Sequence, residues 1–136
     1  MVENVREIKD GLFPFNGDEL HQLTFLLNYA ILAPSHYNAQ PWRFRLSNNG
    51  LDIILDKQRV SRFVDPHSRE AVISCGAAIG MIEVAAHYFG FAVNINYENT
   101  ANSDLLAHIN LAGHYDPSAD ENAWFHAIKI RQTNRK

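Results

Sequence analysis

Hydrophobic and polar positions alternate along the chain in a way that predicts helices and paired strands in separate blocks. Apolar residues at helical spacing follow Asp18, a favoured N-cap residue, and predict a helix that ends before Pro34. Residues 43–47 alternate as in a strand. Asn48-Asn49-Gly50 then predicts a hairpin turn into a second strand over Leu51–Leu55.

The remainder of the chain repeats this arrangement with a longer helix. Asp65-Pro66 is typical of a helix start, and the apolar segment behind it predicts a helix to about Phe89, ended by Gly90. Two strands are expected at Val93–Tyr97 and Leu105–Leu111. A last helix, capped by Ser118 or Asp120, is expected to run to Ile130. Because strands pair locally between helices without βαβ alternation, the predicted fold class is α+β, as one domain over residues 1–136.

The segment Ala71–Val93 is apolar enough to raise the question of a membrane span. It contains Gly76-x-x-x-Gly80, a spacing also found where transmembrane helices pack closely. Glu83 and His87 lie four residues apart on one helical face, and a charge in the bilayer centre costs roughly 2.5 kcal/mol or more. We therefore expect no membrane interaction but a buried core helix, whose small residues allow another backbone to come close.

Composition limits the classes of function. Hydrophobic residues make up 46% and charged residues 20% of the 136 positions, which is typical of a globular domain. A formal net charge of −3 argues against nucleic acid as a partner. The single cysteine excludes an internal disulfide, and charged residues among the first ten positions interrupt any secretory signal, so we expect a cytoplasmic protein.

Several common chemical motifs are missing. No Rossmann fingerprint, P-loop or zinc spacing occurs, and Glu83 with His87 supplies only two of the ligands that a metal would need. We expect these two residues to form a buried hydrogen-bonded pair, and no metal site. Cys75, in an apolar helix without a neighbouring cation, is expected to be a small core residue rather than a nucleophile.

Two segments carry candidate chemistry. The loop between Pro34 and Pro41 combines hydroxyl, imidazole and amide groups, which could contact a planar heteroaromatic ring; the alternative is an ordinary connection anchored by Trp42. Near the C-terminus, Arg131, Thr133 and Arg135 alternate, so an extended chain would point all three to one side as a cradle for a phosphate. The alternative there is a solvated basic tail.

These segments also carry a family resemblance. Ala33-Pro34-Ser35, followed by Asn38-x-Gln40-Pro41-Trp42, resembles the A-P-S-x-x-N-x-Q-P-W signature of the nitroreductase superfamily of FMN enzymes. Asp65-Pro66-x-x-Arg69-Glu70 and Ser74-Cys75-Gly76-Ala77-Ala78 resemble its Acg-type branch, in which one long chain carries two nitroreductase-like halves. Arg131-x-Thr133-Asn134-Arg135 is similar to the element that opens the second half there. The resemblance implies an N-terminal half, with residues 127–136 beginning the next.

The resemblance further implies a sandwich with a mainly antiparallel sheet flanked by helices, as half of a dimer or pseudo-dimer that holds FMN between its halves. By residue, it implies phosphate binding by Arg131, Thr133 and Arg135, and ring contacts from Pro34, Ser35, His36 and Asn38 of the opposite half. It also implies that Gln40 braces the loop and that Trp42 anchors it in the core. The partner is a second copy or a complementary C-terminal half.

The implied activity is hydride transfer through FMN from NAD(P)H to a small-molecule acceptor, such as a nitro compound or a quinone. The cofactor supplies this chemistry, so no catalytic residue is assigned. Two alternatives remain open: a non-catalytic protein that binds or sequesters flavin, and a truncated, inactive half.

Overall fold

The computed structural model describes residues 8–98 and 103–131, and within them three α-helices accompany four β-strands. In chain order these are α1 (Glu19–Ala30), β1 (Trp42–Ser47), β2 (Gly50–Leu55), α2 (Arg69–Tyr88), β3 (Phe91–Tyr97), β4 (Leu105–His114) and α3 (Ala119–Ala127). The predicted order of elements and the α+β class are confirmed. Asp18 caps α1 and Ser118 caps α3, each through a bond to a first-turn N–H.

The four strands form one antiparallel sheet in the order β1-β2-β4-β3. Strands β1 and β2 form one hairpin, β3 and β4 form a second, and β2 pairs with β4 to join them. Leu51 and Ile53 on β2 lie opposite Ile109 and Ala107 on β4, and all four side chains are buried. Helices α1 and α2 pack on each other and on this sheet, which confirms the sheet-and-helix sandwich.

Helix α2 begins later than the sequence predicts. Asp65-Pro66 was expected to start the helix, but the first helical residue is Arg69, and Ser68 before it has a left-handed backbone with φ of +58°. The buried Asp65 carboxylate still caps the helix, because it accepts hydrogen bonds from the backbone N–H groups of Glu70 (3.2 Å) and Ala71 (3.0 Å). The turn through Ser68 brings the chain back, so that a carboxylate four residues upstream reaches the free N–H groups.

Helix α2 also meets the length and composition expected of a membrane span, a test that core helices of globular proteins pass as well. One side of it is buried in the domain, as expected, and includes Cys75 and Ile82. The opposite side, which we call the glycine face, consists of Val72, Ile73, Gly76 and Gly80, and it is exposed. Within the described chain, no atom apart from the adjacent residues and the nearby backbone of α2 itself lies within 4 Å of a Cβ built at either glycine, so the predicted close approach does not occur inside this domain.

Basic residues after α3 are held against the body of the domain. Lys129 Nζ lies 2.8 Å from a carboxylate oxygen of Asp10 and donates a bond of 2.7 Å to the carbonyl of Ile8. Arg131 Nη2 donates to the carbonyl of Leu32 at 3.0 Å. The solvated basic tail is therefore wrong for Arg131, and Lys129 just before it is likewise held by the domain.

Candidate functional site

The loop between α1 and β1 holds an unusual backbone conformation. Three of its non-glycine residues lie in the left-handed region, with φ of +52° at Tyr37, +54° at Asn38 and +48° at Gln40. This conformation costs an L-residue roughly 1–2 kcal/mol, so it persists only where other contacts enforce it. Clusters of such residues occur most often where a loop has to present particular groups to a ligand.

Hydrogen bonds to and within the loop enforce its shape. The backbone N–H of Gln40, the residue expected to brace the loop, donates to Ser35 Oγ at 3.1 Å. The N–H of His36 donates to Ser74 Oγ on α2 at 3.1 Å, and that hydroxyl donates in turn to the carbonyl of Glu70. The loop is thus closed on itself and tied to the helix.

Trp42 anchors the end of the loop, as predicted. It is the first residue of β1, its side chain is 8% exposed within the core, and its ring stacks over Phe44.

A shallow groove of about 190 Å³ runs between the loop and α2. One side is formed by Pro34, Ser35 and His36, and the other by four residues of the helix: Glu70, Ile73, Ser74 and Ala77. Asn38 belongs to the same loop and is exposed, but it does not line the groove. The structure therefore brings together three of the four predicted ring-contact residues around one surface.

The side chain of Arg131, from the segment after α3, contacts the start of the same loop. Its guanidinium contacts the carbonyl of Leu32, two residues before Pro34, so the predicted phosphate-binding element begins beside the loop of its own chain. Thr133 and Arg135, the other two predicted phosphate ligands, lie outside the described residues.

Sequence reasoning missed the helical wall of the groove. Ile73, Ser74 and Ala77 lie three, four and seven residues after Glu70, so the four residues share one face of α2. This spacing was readable from the sequence, and Glu70, Ser74 and Ala77 lie in the segments that carry the family resemblance. What could not be read was that the loop folds against this face.

Comparison with known proteins decides the family. No family model matches the chain. A protein of Mycobacterium tuberculosis strain H37Rv, named a putative NAD(P)H nitroreductase, is 32% identical over 112 residues, which are 82% of this chain and 32% of the relative. The protein of the same strain named putative NAD(P)H nitroreductase acg is 33% identical over 107 residues, which are 78% of this chain and 32% of that relative. The chain belongs to the nitroreductase superfamily. It spans about a third of the length of these relatives.

The groove of this nitroreductase chain suits one face of a flat aromatic cofactor such as FMN. Ile73, Ala77 and Pro34 give it an apolar floor, while Ser35 and His36 place polar groups at its edge. The guanidinium of Arg131, at the near end of the loop, is the type of group that binds a phosphate. The groove residues fit one face of the ring as a single wall, which leaves the opposite face to another surface.

Two other expectations for the nitroreductase chain concern titratable groups in α2. His87 Nδ1 pairs with Glu121 of α3 at 2.8 Å, so the expected pair with Glu83 is wrong, because the packing of α3 offers His87 a better-placed carboxylate. Cys75 is buried, and burial raises the pKa of its thiol to about 12, which confirms a core residue rather than a nucleophile. Among the described residues, no group of three potential ligands could hold a metal.

Outside the groove, two hydrogen-bond acceptors hold the ring of His108 on β4. Its Nδ1 lies 2.6 Å from a carboxylate oxygen of Asp52, and its Nε2 lies 2.7 Å from the carbonyl of Asn49 in the hairpin turn. Since neither acceptor can donate, both contacts are satisfied only when both ring nitrogens carry protons, so this environment favours the imidazolium form. The hydrogen bond to Asp52 raises the pKa of His108. Partial burial works against a low pKa at Asp52, but His108 and Arg45 hold it below the usual range.

This arrangement predicts a pH-dependent contribution to stability. A histidine whose pKa is raised on folding contributes to the free energy of unfolding. This contribution is fully present below the ordinary pKa of about 6.5 and is lost as the pH rises through the folded-state pKa. For Asp52 the contribution is lost only in acid, below about pH 4. We expect His108→Gln to lower the free energy of unfolding by about 1 kcal/mol at pH 6, less than for a buried pair because the histidine is partly exposed, and by little at pH 9.

Urea unfolding of the two proteins between pH 5 and 9 measures this difference. Two other charged groups belong to the same surroundings: Arg45 pairs with Asp52, and Glu19 accepts a hydrogen bond from Asn110. The substitution changes neither of them. Other histidines titrate in both proteins, so only the difference between them reports on His108. A difference that stays constant across this range would contradict the imidazolium assignment.

Proposed function

We propose that this chain forms a flavin-binding half of an FMN-dependent oxidoreductase that uses NAD(P)H. The observation that carries the proposal is the Pro34–Pro41 loop, which is held in a strained conformation and forms one side of a groove. The carbonyl of Leu32, two residues before the loop, accepts a hydrogen bond from the guanidinium of Arg131. The names of the two relatives support the reductant. When bound, FMN would supply hydride transfer from NAD(P)H to a small-molecule acceptor, such as a nitro compound or a quinone.

The residues of the groove would bind and orient the ring. Ile73 and Ala77 would contact its face and exclude water from it. Ser35 accepts a hydrogen bond from Gln40, and a hydroxyl in that state still has its own proton to donate to a ring carbonyl. His36 and Asn38 are exposed and would complete the polar contacts from the loop.

Arg131 would bind the phosphate, with Thr133 and Arg135 as further ligands. Its position near Leu32 supports a cradle that starts beside the ring-binding loop of the same chain. Because the resemblance assigns the two elements of one flavin to opposite halves, two arrangements follow: the phosphate and ring residues of this chain serve one flavin, or they serve two flavins across an interface.

A second half would complete the site. The groove forms only one wall, and the exposed glycine face of α2 continues from it, since Ile73 belongs to both. We propose that a second copy of this chain, or a complementary C-terminal half, covers this surface. A cytoplasmic location would suit the single, buried cysteine.

Flavin titration tests the proposal. We expect the chain, alone or with its complementary half, to bind FMN, and Arg131→Ala to weaken FMN about ten-fold or more, because a charge-assisted bond contributes roughly 1.5–3 kcal/mol. Riboflavin, which lacks the phosphate, should bind both proteins equally. Arg43→Ala, which removes an exposed arginine from β1, is the control and should change neither affinity.

Anaerobic addition of NADH or NADPH then separates enzyme from storage protein. Bleaching of the bound flavin is expected for an oxidoreductase. Bound flavin that stays oxidised would support a sequestering protein. If the chain binds no flavin, either alone or with its complementary half, both the oxidoreductase and the sequestering function are contradicted.

A further inference from the structure

Three residues from distant parts of the chain meet at one carboxylate. Asp10 Oδ1 accepts a hydrogen bond from the Tyr29 hydroxyl at 2.7 Å and lies 2.8 Å from Lys129 Nζ. The Asp10 and Lys129 side chains are about three-quarters buried, with exposures of 26% and 25%, and Tyr29 is fully buried. We call Asp10, Tyr29 and Lys129 the Asp10 cluster. It joins the segment before α1, the helix α1 and the segment after α3.

We propose that the Asp10 cluster positions Arg131 for the flavin phosphate and thereby sets a preference for FMN over unphosphorylated flavin. This inference rests on the proposed function. Lys129 precedes Arg131 by two residues, in the turn that follows α3. The cluster holds the chain on one side of Arg131, and the contact with Leu32 holds the guanidinium itself.

The contacts of the cluster make it a rigid anchor rather than a loose surface ion pair. An exposed pair contributes little, because two mobile side chains have to be ordered in water. Here Lys129 also donates to the carbonyl of Ile8 at 2.7 Å, so its ammonium is held by a main-chain carbonyl as well as by the carboxylate. Burial and the neighbouring Asp10 carboxylate raise the pKa of Tyr29, so its hydroxyl stays protonated and donates at any physiological pH.

Anchoring matters because an unordered arginine loses side-chain and main-chain freedom when it binds an anion. That loss reduces the affinity, and a side chain already held in place avoids it. Arg131 is held at the carbonyl of Leu32, two residues before the ring-binding loop begins at Pro34. The cluster therefore keeps the distance between the phosphate-binding and ring-binding groups of this chain constant.

The test compares Lys129→Met with Lys129→Arg, which preserves the charge. We expect Lys129→Met to weaken FMN about ten-fold while riboflavin affinity is unchanged, and Lys129→Arg to restore most of the loss. Tyr29→Phe, which removes only the hydroxyl, should give a smaller change in the same direction. Lys57→Met, at a lysine that pairs with Asp104, is the control and should leave the ratio of the two affinities unchanged.

A second measurement follows the anchor without any flavin. Spin labels at Ile130→Cys and Asn48→Cys, both at exposed positions, report the distance from the segment after α3 to the hairpin turn. Cys75 can remain, because its thiol is buried. We expect a narrow distance distribution that broadens in Lys129→Met and narrows again in Lys129→Arg.

The outcomes are distinct. A distribution that does not broaden, or equal losses of FMN and riboflavin affinity in Lys129→Met, would overturn the positioning role while leaving the proposed function intact. If the unsubstituted chain binds no flavin with or without its complementary half, the proposed function fails and the positioning role fails with it.

Discussion

Trp42→Ala is expected to lower the free energy of unfolding by about 3–5 kcal/mol, the usual cost of truncating a buried tryptophan. The side chain is 8% exposed, and it fixes the point at which the candidate loop enters the sheet. Asn38→Ala, four residues earlier, should cost only about 1 kcal/mol, since this exposed residue loses little packing and keeps a left-handed backbone. Urea unfolding with equal denaturant slopes measures both values.

A matched glycine variant and a flavin spectrum distinguish strain from contact at this position. Asn38→Gly relieves the left-handed backbone, so it should be at least as stable as Asn38→Ala. Both variants should alter the absorption of bound flavin if Asn38 contacts the ring. A large loss of stability with an unchanged spectrum would instead make Asn38 a structural residue of the loop.

Association through the glycine face of α2 is the second large effect that we expect. A surface that completes a shared site in an obligate pair buries well over 2,000 Å² in total. Gly76 has space around it in the single chain, so Gly76→Ala should raise the stability of an isolated chain by about 1 kcal/mol through helix propensity. Gly76→Leu should weaken pairing roughly 10–100-fold, because the added side chain occupies the space that a close partner needs.

Sedimentation equilibrium at micromolar concentration measures the pairing, with the second copy and the complementary half tested separately. Ala123→Leu, at an exposed position of α3, is the matched control and should leave the association constant unchanged. A stable monomer of 15.5 kDa that carries one FMN would contradict the shared site.

Local signals in the sequence were sufficient for most of the fold. Asn48-Asn49-Gly50 predicted the first hairpin, and Ser118, one of two candidate caps, predicted the start of α3, because turn and cap preferences depend on neighbouring residues alone. The start of α2 was misplaced, since its cap is made across a left-handed Ser68 that no propensity indicates. The partner of His87 was missed for a related reason: Glu121 lies 34 residues away and is placed by helix packing.

For the candidate site, sequence reasoning identified the loop but not its surroundings. The residue types between Pro34 and Pro41 indicated a polar loop that could meet a ring, and the structure places Ser35 and His36 on a groove. The left-handed residues of that loop were unpredictable, because tertiary hydrogen bonds such as the one from His36 to Ser74 impose them. The contact of Arg131 with Leu32 spans 99 residues and required the fold itself.

The strand order has a consequence for how the domain folds. Each hairpin joins neighbours in the chain, so β1 with β2, and β3 with β4, can close small loops at low entropic cost. The pairing of β2 with β4 instead spans the whole of α2 and β3. It places Leu51 opposite Ile109, a residue far along the chain. Formation of this one central seam is therefore the step that we expect to limit the folding rate, and until it forms, the two hairpins have no common sheet.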